Sequence, residues 1–322
     1  MKIFITGASG FVGSAIARRL APDHEVYAMA RSDRSAEKVR ATGAEPVACD
    51  LENVRAEHLE GMDAVIHAAA FVEPWGSRKD FWKGNVEGTE RMLAAARNAG
   101  VKRFVHIGTE SALFRGDDLN DIDESFPYPE KTPFLYSETK KEAEIRVLQA
   151  NQPVDFETIS LRPRFVWGPN DTTLLANLIE MVDGGKFRWI NKGQAETSIC
   201  FVENIAYAAQ LALARGKGGS AYFITDDETV TFQNIITRLL ATTGRVPTDK
   251  NVPAGLARRL ASIVEFVWRT LRIKKKPPIT RFAAAIMTAN CTLRIDRARA
   301  ELGYSPLVSV RDGLKRMDGT AQ

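Results

Sequence analysis

A tyrosine and a lysine lie four residues apart in the segment Tyr136-Ser-Glu-Thr-Lys140. On a helix, side chains at positions i and i+4 project from the same face, one turn apart. An ammonium group held beside a phenol stabilises the phenolate, so we expect the pKa of Tyr136 to fall below its usual value of about 10. The pair therefore predicts a proton donor and acceptor that operates near neutral pH.

A second segment, Thr6-Gly-Ala-Ser-Gly-Phe-Val-Gly13, has three glycines between a predicted strand and a predicted helix. Glycines let a backbone approach a pyrophosphate closely, and a helix N-terminus offers free N–H groups with partial positive charge. The spacing is G-x-x-G-x-x-G rather than G-x-G-x-x-G, and a purely structural turn is the alternative. The residues predicted to bind a dinucleotide here are Gly7, Ser9, Gly10, Phe11, Val12 and Gly13.

Strands and helices alternate along the first half of the chain, a pattern typical of a parallel sheet covered on both faces. The predicted fold class is therefore α/β, a doubly wound parallel sheet with a smaller C-terminal substrate-binding lobe. We predict a nucleotide-binding domain over 1–165, to which part of 196–215 returns, and the lobe over 166–322. The predicted strands are Lys2–Thr6, Glu25–Ala30, Pro46–Asp50, Ala64–Ala68, Arg103–Ile107 and Glu157–Arg162.

These segments, with others along almost the whole chain, resemble the extended short-chain dehydrogenase/reductase superfamily, or NAD-dependent epimerase/dehydratase family. The nearest branch is the 3β-hydroxysteroid dehydrogenase-like one, which the segments Arg164–Thr173 and Phe187–Ile190 resemble most. The resemblance implies a Rossmann domain that binds a nicotinamide dinucleotide. The other family-like segments are Asp50-Leu51, His67-Ala-Ala-Ala70, Asn85–Thr89, Val101–Thr109, Leu161-Arg-Pro163, Gly168-Pro169 and Glu301–Pro306.

The resemblance also implies a catalytic set. Tyr136 would exchange a proton with a carbonyl or alcohol oxygen, Lys140 would bond the nicotinamide ribose, and Thr109 would bond the substrate oxygen. For Thr109 the alternative is an ordinary β-branched residue at a strand end, with Ser111 as the substitute. Further cofactor contacts are implied for Asp50, Leu51, Ala68, Ala69, Ala70, Asn85, Pro163 and Val166.

The choice between the two nicotinamide cofactors is expected at the end of the second predicted strand. Enzymes specific for NAD usually have an acid there, roughly 20 residues after the glycine loop, to bond the ribose 2′-hydroxyl. Here no acid lies between Val26 and Ser32, and Arg31 is followed by Arg34 and Lys38. Because cations suit the 2′-phosphate, we predict NADP, bound by Arg31 and Ser32, with NAD as the alternative.

Aromatic residues in segments expected to line the cleft favour a lipophilic substrate, such as a sterol or a fatty keto-acid, over a sugar. The aromatic candidates are Phe71, Trp75, Phe114, Trp167 and Trp189, and core packing is the alternative for each. Arg164, in the steroid dehydrogenase-like segment, is a further candidate. Glu110 stands where nucleotide-sugar dehydratases carry an acid that eliminates water, but a solvated loop glutamate is the preferred interpretation.

The composition excludes several other classes of protein. The chain has 322 residues, of which 44% are hydrophobic and 26% charged, as in ordinary soluble proteins. Its three cysteines are far apart and its four histidines isolated, so we expect neither a disulfide nor a metal site. No signal-peptide pattern and no apolar run of roughly 18 residues occurs, which predicts a cytoplasmic protein. No nucleic-acid-binding module is recognised.

The segment 256–276 combines apolar residues at helical spacing with seven Lys and Arg against one Glu, a net charge of +6. Such a helix could contact an anionic membrane surface. The preferred interpretation is a lid whose apolar stripe packs over the substrate cleft. Other helices are expected over Asp80–Asn98 and Pro133–Gln149, the second with Thr132 as N-cap, and the resemblance implies a homodimer formed through them.

The leading hypothesis is an NADP(H)-dependent oxidoreductase that transfers hydride between nicotinamide and a lipophilic alcohol or ketone, with Tyr136 as acid and base. The second is a nucleotide-sugar epimerase or dehydratase with tightly bound NAD. The third is a non-catalytic sensor of the dinucleotide redox state. Sensors of this fold generally lack the tyrosine and lysine, so the presence of Tyr136 and Lys140 argues against this class.

Overall fold

The computed structural model describes residues 1–171, 173–273 and 275–318. The strands are β1 (Lys2–Thr6), β2 (Glu25–Met29), β3 (Glu45–Val47), β4 (Ala64–His67), β5 (Arg103–Ile107), β6 (Leu119–Ile122), β7 (Glu157–Pro163), β8 (Val166–Trp167), β9 (Trp189–Ile190), β10 (Glu196–Ser198), β11 (Cys200–Phe201), β12 (Ser220–Ile224), β13 (Thr229–Thr231), β14 (Asn251–Val252) and β15 (Cys291–Leu293). The helices are α1 (Phe11–Leu20), α2 (Asp33–Arg40), α3 (Arg78–Phe81), α4 (Gly88–Asn98), α5 (Leu135–Gln149), α6 (Leu174–Asp183), α7 (Val202–Arg215), α8 (Phe232–Ala241), α9 (Ala254–Thr270), α10 (Arg281–Ile286) and α11 (Val310–Met317).

Seven strands form one parallel sheet in the order β12-β7-β5-β4-β1-β2-β3. The central strands are apolar and buried on both faces, as expected where helices cover a parallel sheet on both sides. From β1 the chain runs outward to β3 and then returns to β4 on the other side of β1. This reversal creates a crevice at the carboxyl ends of β1 and β4, where ligands bind in doubly wound folds. The predicted fold class is confirmed.

Two predicted helices differ in detail from those observed. The helix expected from Pro133 begins at Leu135, because the Thr132 hydroxyl donates to the carbonyl of Phe114 and does not cap the helix. The helix expected over Asp80–Asn98 is interrupted by a π-helical turn, Trp82–Glu87, between α3 and α4. The first difference arises from a contact with a distant residue, and the second from local backbone geometry. The apolar pattern of the sequence indicates neither.

Beyond β7 the chain builds a second region. A four-stranded sheet has the order β13-β10-β15-β6, with β6 contributed from before β7, and the pairs β8/β11 and β9/β14 form two further short sheets. Residues of β8, β9, β11 and β13 form a separate apolar core with α6 and α8. Two elements beyond 200 join the parallel sheet: α7 packs against α1, and β12 pairs with β7 at the sheet edge. In the described part of the chain, no helix is long and apolar enough to cross a bilayer.

Candidate active site

The glycine loop lies at the crevice between β1 and β4. Gly7 has a φ of +76°, and a Cβ there would stand 2.8 Å from the amide nitrogen of Ala69. A Cβ on Gly13 would stand 2.3 Å from the carbonyl oxygen of Gly7. Side chains are therefore excluded from both positions, which leaves a backbone cradle at the start of α1. Ser9, Phe11 and Val12 are partly exposed along it.

The segment Ala68–Ala70 forms the other wall of this cradle. The Ala69 amide donates to the hydroxyl of Thr6 at 3.0 Å, which ties the segment to the end of β1. Asn85 binds the segment from the opposite side: its Oδ1 accepts from the amide of Phe71 at 2.7 Å. The Asn85 amide group also donates to Phe71 and Thr139. These contacts occupy both ends of the Asn85 amide, so Asn85 holds the loop that forms this wall of the cradle.

The three residues of the predicted catalytic set line one cleft. Thr109 follows β5 and caps the short 3₁₀ turn Glu110–Leu113. Tyr136 lies in the first turn of α5, and Lys140 lies one turn further along. The Lys140 ammonium donates to the carbonyl oxygen of Ile107 at 3.1 Å, so it sits directly behind the end of β5. Tertiary structure thus brings Thr109, Tyr136 and Lys140 together at the carboxyl end of the sheet.

The prediction that the pKa of Tyr136 falls below its usual value is wrong. Burial raises the pKa of the phenol, the Glu110 carboxylate raises it further, and a hydrogen bond with Thr109 lowers it only in part. Burial also lowers the pKa of Lys140 to about 8, and only the nearby Glu144 carboxylate opposes that change. The phenol therefore holds its proton at neutral pH while the lysine beside it remains mainly charged.

An uncharged layer lies behind Lys140. The His67 ring is hydrogen-bonded to Thr6 at 2.8 Å and to Thr89 at 3.0 Å, and it stacks on His106 at 5.5 Å between ring centroids. Burial and the Lys140 ammonium lower the pKa of His67 to about 3. Both histidines are thus neutral packing residues of adjacent strands, as their isolation in the sequence indicated. A neutral layer here adds no second positive charge beside the buried lysine.

Glu110 is not the solvated loop residue that we expected. It is 2% exposed, and its carboxylate accepts hydrogen bonds from Thr109, Ser111 and Arg164. Arg164 is buried as well and also donates to the hydroxyl of Thr197 at 3.0 Å. A buried ion pair therefore forms the cleft wall beside the Thr109 hydroxyl. Every charge in this pair has a partner, as stable burial of ions requires.

The cleft has a volume of about 460 Å³, and most of its lining is apolar. Of the predicted aromatic residues, Trp75 lines it. Trp167 and Trp189 do not: both are buried in the core of the second region, where Trp167 donates to Asp226. Phe114 is buried against Phe134. Phe71 packs on Phe81 beneath the wall of the cleft. For Phe114, Trp167 and Trp189 core packing, the alternative interpretation, describes the structure, whereas Phe71 is only partly buried.

A second cavity, of about 420 Å³, opens at the carboxyl ends of β2 and β3. Arg31, Ser32 and Asp50 line it, together with Arg40 from the end of α2. The Asp50 carboxylate accepts from the amides of Glu52 and Asn53, so it also shapes its own turn. Leu51 instead packs against Gly88. Asp33 from the start of α2 also lines the cavity, so Arg31 and Arg40 share it with two carboxylates, Asp33 and Asp50.

Comparisons with known proteins identify the family. Residues 4–253 match the 3-beta hydroxysteroid dehydrogenase/isomerase family. The chain belongs to this family. It is 41% identical to the 4-hydroxy-2-methyl-3-oxo-4-farnesyl-3,4-dihydroquinoline-1-oxide ketoreductase of Stigmatella aurantiaca, over 98% of this chain and 95% of that protein.

Other relatives of this 3β-hydroxysteroid dehydrogenase family member agree. A 2-alkyl-3-oxoalkanoate reductase of Stenotrophomonas maltophilia is 35% identical, over 100% of this chain and 99% of that protein. The crystal structure of gox2253 superposes with a TM-score of 0.79 at 27% identity, over 99% of this chain and 96% of that one. The predicted resemblance to the extended short-chain dehydrogenase/reductase superfamily is confirmed, and the protein is an oxidoreductase of that class.

Some cleft residues of this 3β-hydroxysteroid dehydrogenase family member escaped the sequence analysis. The Phe282 ring of α10 packs against Tyr136 in a tilted arrangement, 5.4 Å between centroids, and no sequence motif marks this residue. Arg269 of α9 lies over the Trp75 ring at 4.6 Å, and Glu265 lines the cleft beside it. Arg269 and Glu265 belong to the basic segment 256–276. The charge pattern of this segment is visible in the sequence, but its position beside the cleft is not. Pro163 and Val166, for which cofactor contacts are predicted, also line the cleft.

Proposed function

We propose that this protein is an NADP(H)-dependent ketoreductase that reduces a lipophilic ketone to an alcohol. The observation that carries the proposal is the meeting of Thr109, Tyr136 and Lys140 in an apolar cleft beside the glycine cradle. The direction is supported by the raised pKa of Tyr136, since a phenol that keeps its proton suits a proton donor. The names of the two relatives compared above both describe the reduction of a ketone, and the ketone in the first name carries a farnesyl group.

The cradle fits a dinucleotide. A Cβ at Gly7 or Gly13 would collide with backbone, so the absence of side chains there lets a pyrophosphate reach the free N–H groups of α1. When bound, the nicotinamide supplies the hydride that reduces the carbonyl carbon. The residues that would hold the dinucleotide are those of the cradle and its alanine wall, Lys140, Pro163 and Val166 near the nicotinamide, and Arg31, Ser32 and Asp50 at the adenosine end.

The chain's own residues would manage the proton. The Tyr136 hydroxyl donates its proton to the carbonyl oxygen as negative charge develops there, and the phenolate then regains a proton from solvent. The Thr109 hydroxyl, which donates to Glu110 at 2.8 Å, would turn to the same oxygen. The Lys140 ammonium, charged at neutral pH, stabilises the transient phenolate. Apolar walls exclude water and bury the body of the substrate.

Turnover of lipophilic ketones, followed by the absorbance of NADPH, tests the assignment. We expect Tyr136→Phe to abolish turnover while NADPH binding persists, and Tyr27→Phe, whose hydroxyl donates to the exposed Glu25 on the same strand, to behave as wild type. Full turnover by Tyr136→Phe would overturn the mechanism. Release of tightly held NAD⁺ on heat denaturation, with no exchange for NADPH, would instead favour the epimerase or dehydratase hypothesis.

The cofactor preference has its own test. Arg31 lines the cavity at the adenosine end, whereas Arg34 does not contribute to its lining. Because a charged hydrogen bond to phosphate is worth roughly 1.5–3 kcal/mol, Arg31→Ala should lower kcat/KM for NADPH by about tenfold or more relative to NADH. Arg34→Ala serves as the matched control. An unchanged ratio in the Arg31 variant, or an equal change in both variants, would contradict the NADP assignment.

A further inference from the structure

The helix α9 carries an unusual concentration of exposed apolar side chains. Thirteen large apolar side chains are exposed in the described residues, and six of them belong to α9 and its C-cap. Phe266 is 70% exposed and Ile263 is 59% exposed. The six residues, called the α9 stripe below, are Leu256, Leu260, Ile263, Phe266, Val267 and Leu271.

The stripe does not serve the cleft. The helix packs on the protein through a neighbouring face, where Ala257 and Ala261 are buried and Trp268 is partly buried. The residues that α9 contributes to the cleft are polar, Glu265 and Arg269. The expected lid therefore uses a different face of the helix from the one that carries the large apolar residues. Burial of the stripe must come from something outside this chain's own fold, because exposed apolar patches of this kind mark interaction surfaces.

The charges around the stripe favour an anionic partner. Positions 256–276 hold seven Lys and Arg against one Glu, a net charge of +6, while the whole chain has a net charge of +4. Arg259, Arg272, Lys275 and Lys276 are exposed beside the stripe. An apolar stripe flanked by cations matches the surface of an anionic bilayer, where apolar side chains enter the acyl boundary and cations meet lipid phosphates.

We propose that α9 docks this protein on anionic membrane surfaces, lying in the plane of the interface rather than crossing the bilayer. Docking would orient the cleft. Val72, which is 58% exposed, and Trp75 line the cleft beneath Arg269, so the opening lies alongside α9. A molecule dissolved in the bilayer would then reach the cleft without crossing bulk water. The docking itself rests on α9 alone and stands whether or not the proposed reaction is correct.

Flotation with lipid vesicles tests the docking. The full chain is mixed with vesicles of phosphatidylcholine alone or of phosphatidylcholine with phosphatidylglycerol, at low and high salt. We expect binding to the anionic vesicles only, weakened by salt because part of the attraction is screened. The variant Leu260→Ser/Ile263→Ser/Phe266→Ser should lower partitioning by roughly tenfold or more, since three side chains lose apolar burial. Val246→Ser/Leu307→Ser, at exposed sites outside α9, is the matched control.

Three results would overturn the proposal. In the first, the wild-type protein stays in solution with both lipid mixtures. In the second, the triple variant binds vesicles as well as the wild type does. In the third, the wild type is a dimer and the triple variant is a monomer. The last result would mean that a second copy covers the stripe. Circular dichroism and the melting temperature check folding, and both should be unchanged because the substituted side chains contact solvent. If the triple variant is destabilised, Arg259→Glu is measured in its place. The proposal then requires that Arg259→Glu weakens binding to the anionic vesicles.

Discussion

Gly13 lies in the first turn of α1, and a side chain there would meet the backbone of the glycine loop. A Cβ would stand 2.3 Å from the carbonyl oxygen of Gly7 and 2.5 Å from its carbonyl carbon. Optimal carbon contacts lie at about 3.5–4.0 Å, so Gly13→Ala requires the loop and the helix to separate by roughly 1 Å. Neither neighbour is a side chain that could rotate away. The substitution is therefore expected to open the cradle.

The magnitude follows from two opposing effects. Alanine is favoured over glycine inside a helix by about 1 kcal/mol, whereas overpacking costs typically about 1–3 kcal/mol. With backbone on both sides of the clash we expect the upper end, a net loss of about 2 kcal/mol. Displacement of the N–H groups from a bound phosphate removes at least one charged hydrogen bond, so the affinity for NADPH should fall by about tenfold or more.

The assay compares two glycines in first turns of helices. Gly255 of α9 has no atom within 4 Å of a Cβ built on it, so Gly255→Ala should leave the unfolding free energy unchanged or raise it slightly. Urea unfolding and NADPH fluorescence titration are measured for wild type and both variants. Gly13→Ala with wild-type stability and wild-type affinity would refute the reasoning. Equal losses in both variants would refute it as well, since the backbone clash at Gly13, which Gly255 lacks, could not then be the cause.

Two further predictions concern buried charges. The Lys140 pKa of about 8 predicts that kcat/KM for NADPH falls as pH rises through about 8. It also predicts that the unfolding free energy rises between about pH 8 and 10.5, because the unfolded chain there still binds the proton that the folded chain has lost. A flat pH profile together with flat unfolding free energies from urea melts would contradict this prediction. Glu144→Gln leaves the buried guanidinium of Arg162 without its counter-ion, so it should lower the unfolding free energy by about 3–5 kcal/mol. The control Glu142→Gln, in a more exposed pair with Arg146, should lower the unfolding free energy by at most about 1 kcal/mol. Equal losses in the two variants would contradict burial as the cause.

Local patterns in the sequence determined the framework of this protein. The strands Lys2–Thr6 and Arg103–Ile107 were predicted with the bounds that the structure has, because each is a short buried run of apolar and β-branched residues. The glycine loop and the spacing from Tyr136 to Lys140 are likewise local, since a turn and a helical repeat each depend on neighbours in sequence. Family and fold class followed from these segments and were confirmed.

Contacts between distant residues were decided only by the tertiary structure. Glu110 is buried beside Arg164, 54 positions later, and the pKa of Tyr136 rises because the fold buries the phenol and, to a lesser extent, because it places that carboxylate nearby. The pattern of α9 likewise predicted a helix and an apolar stripe. It could not predict that a face with two alanines packs on the protein while the stripe meets solvent, because the face a helix buries depends on the shape of its neighbours. Periodicity determines which residues share a face, and packing determines where that face points.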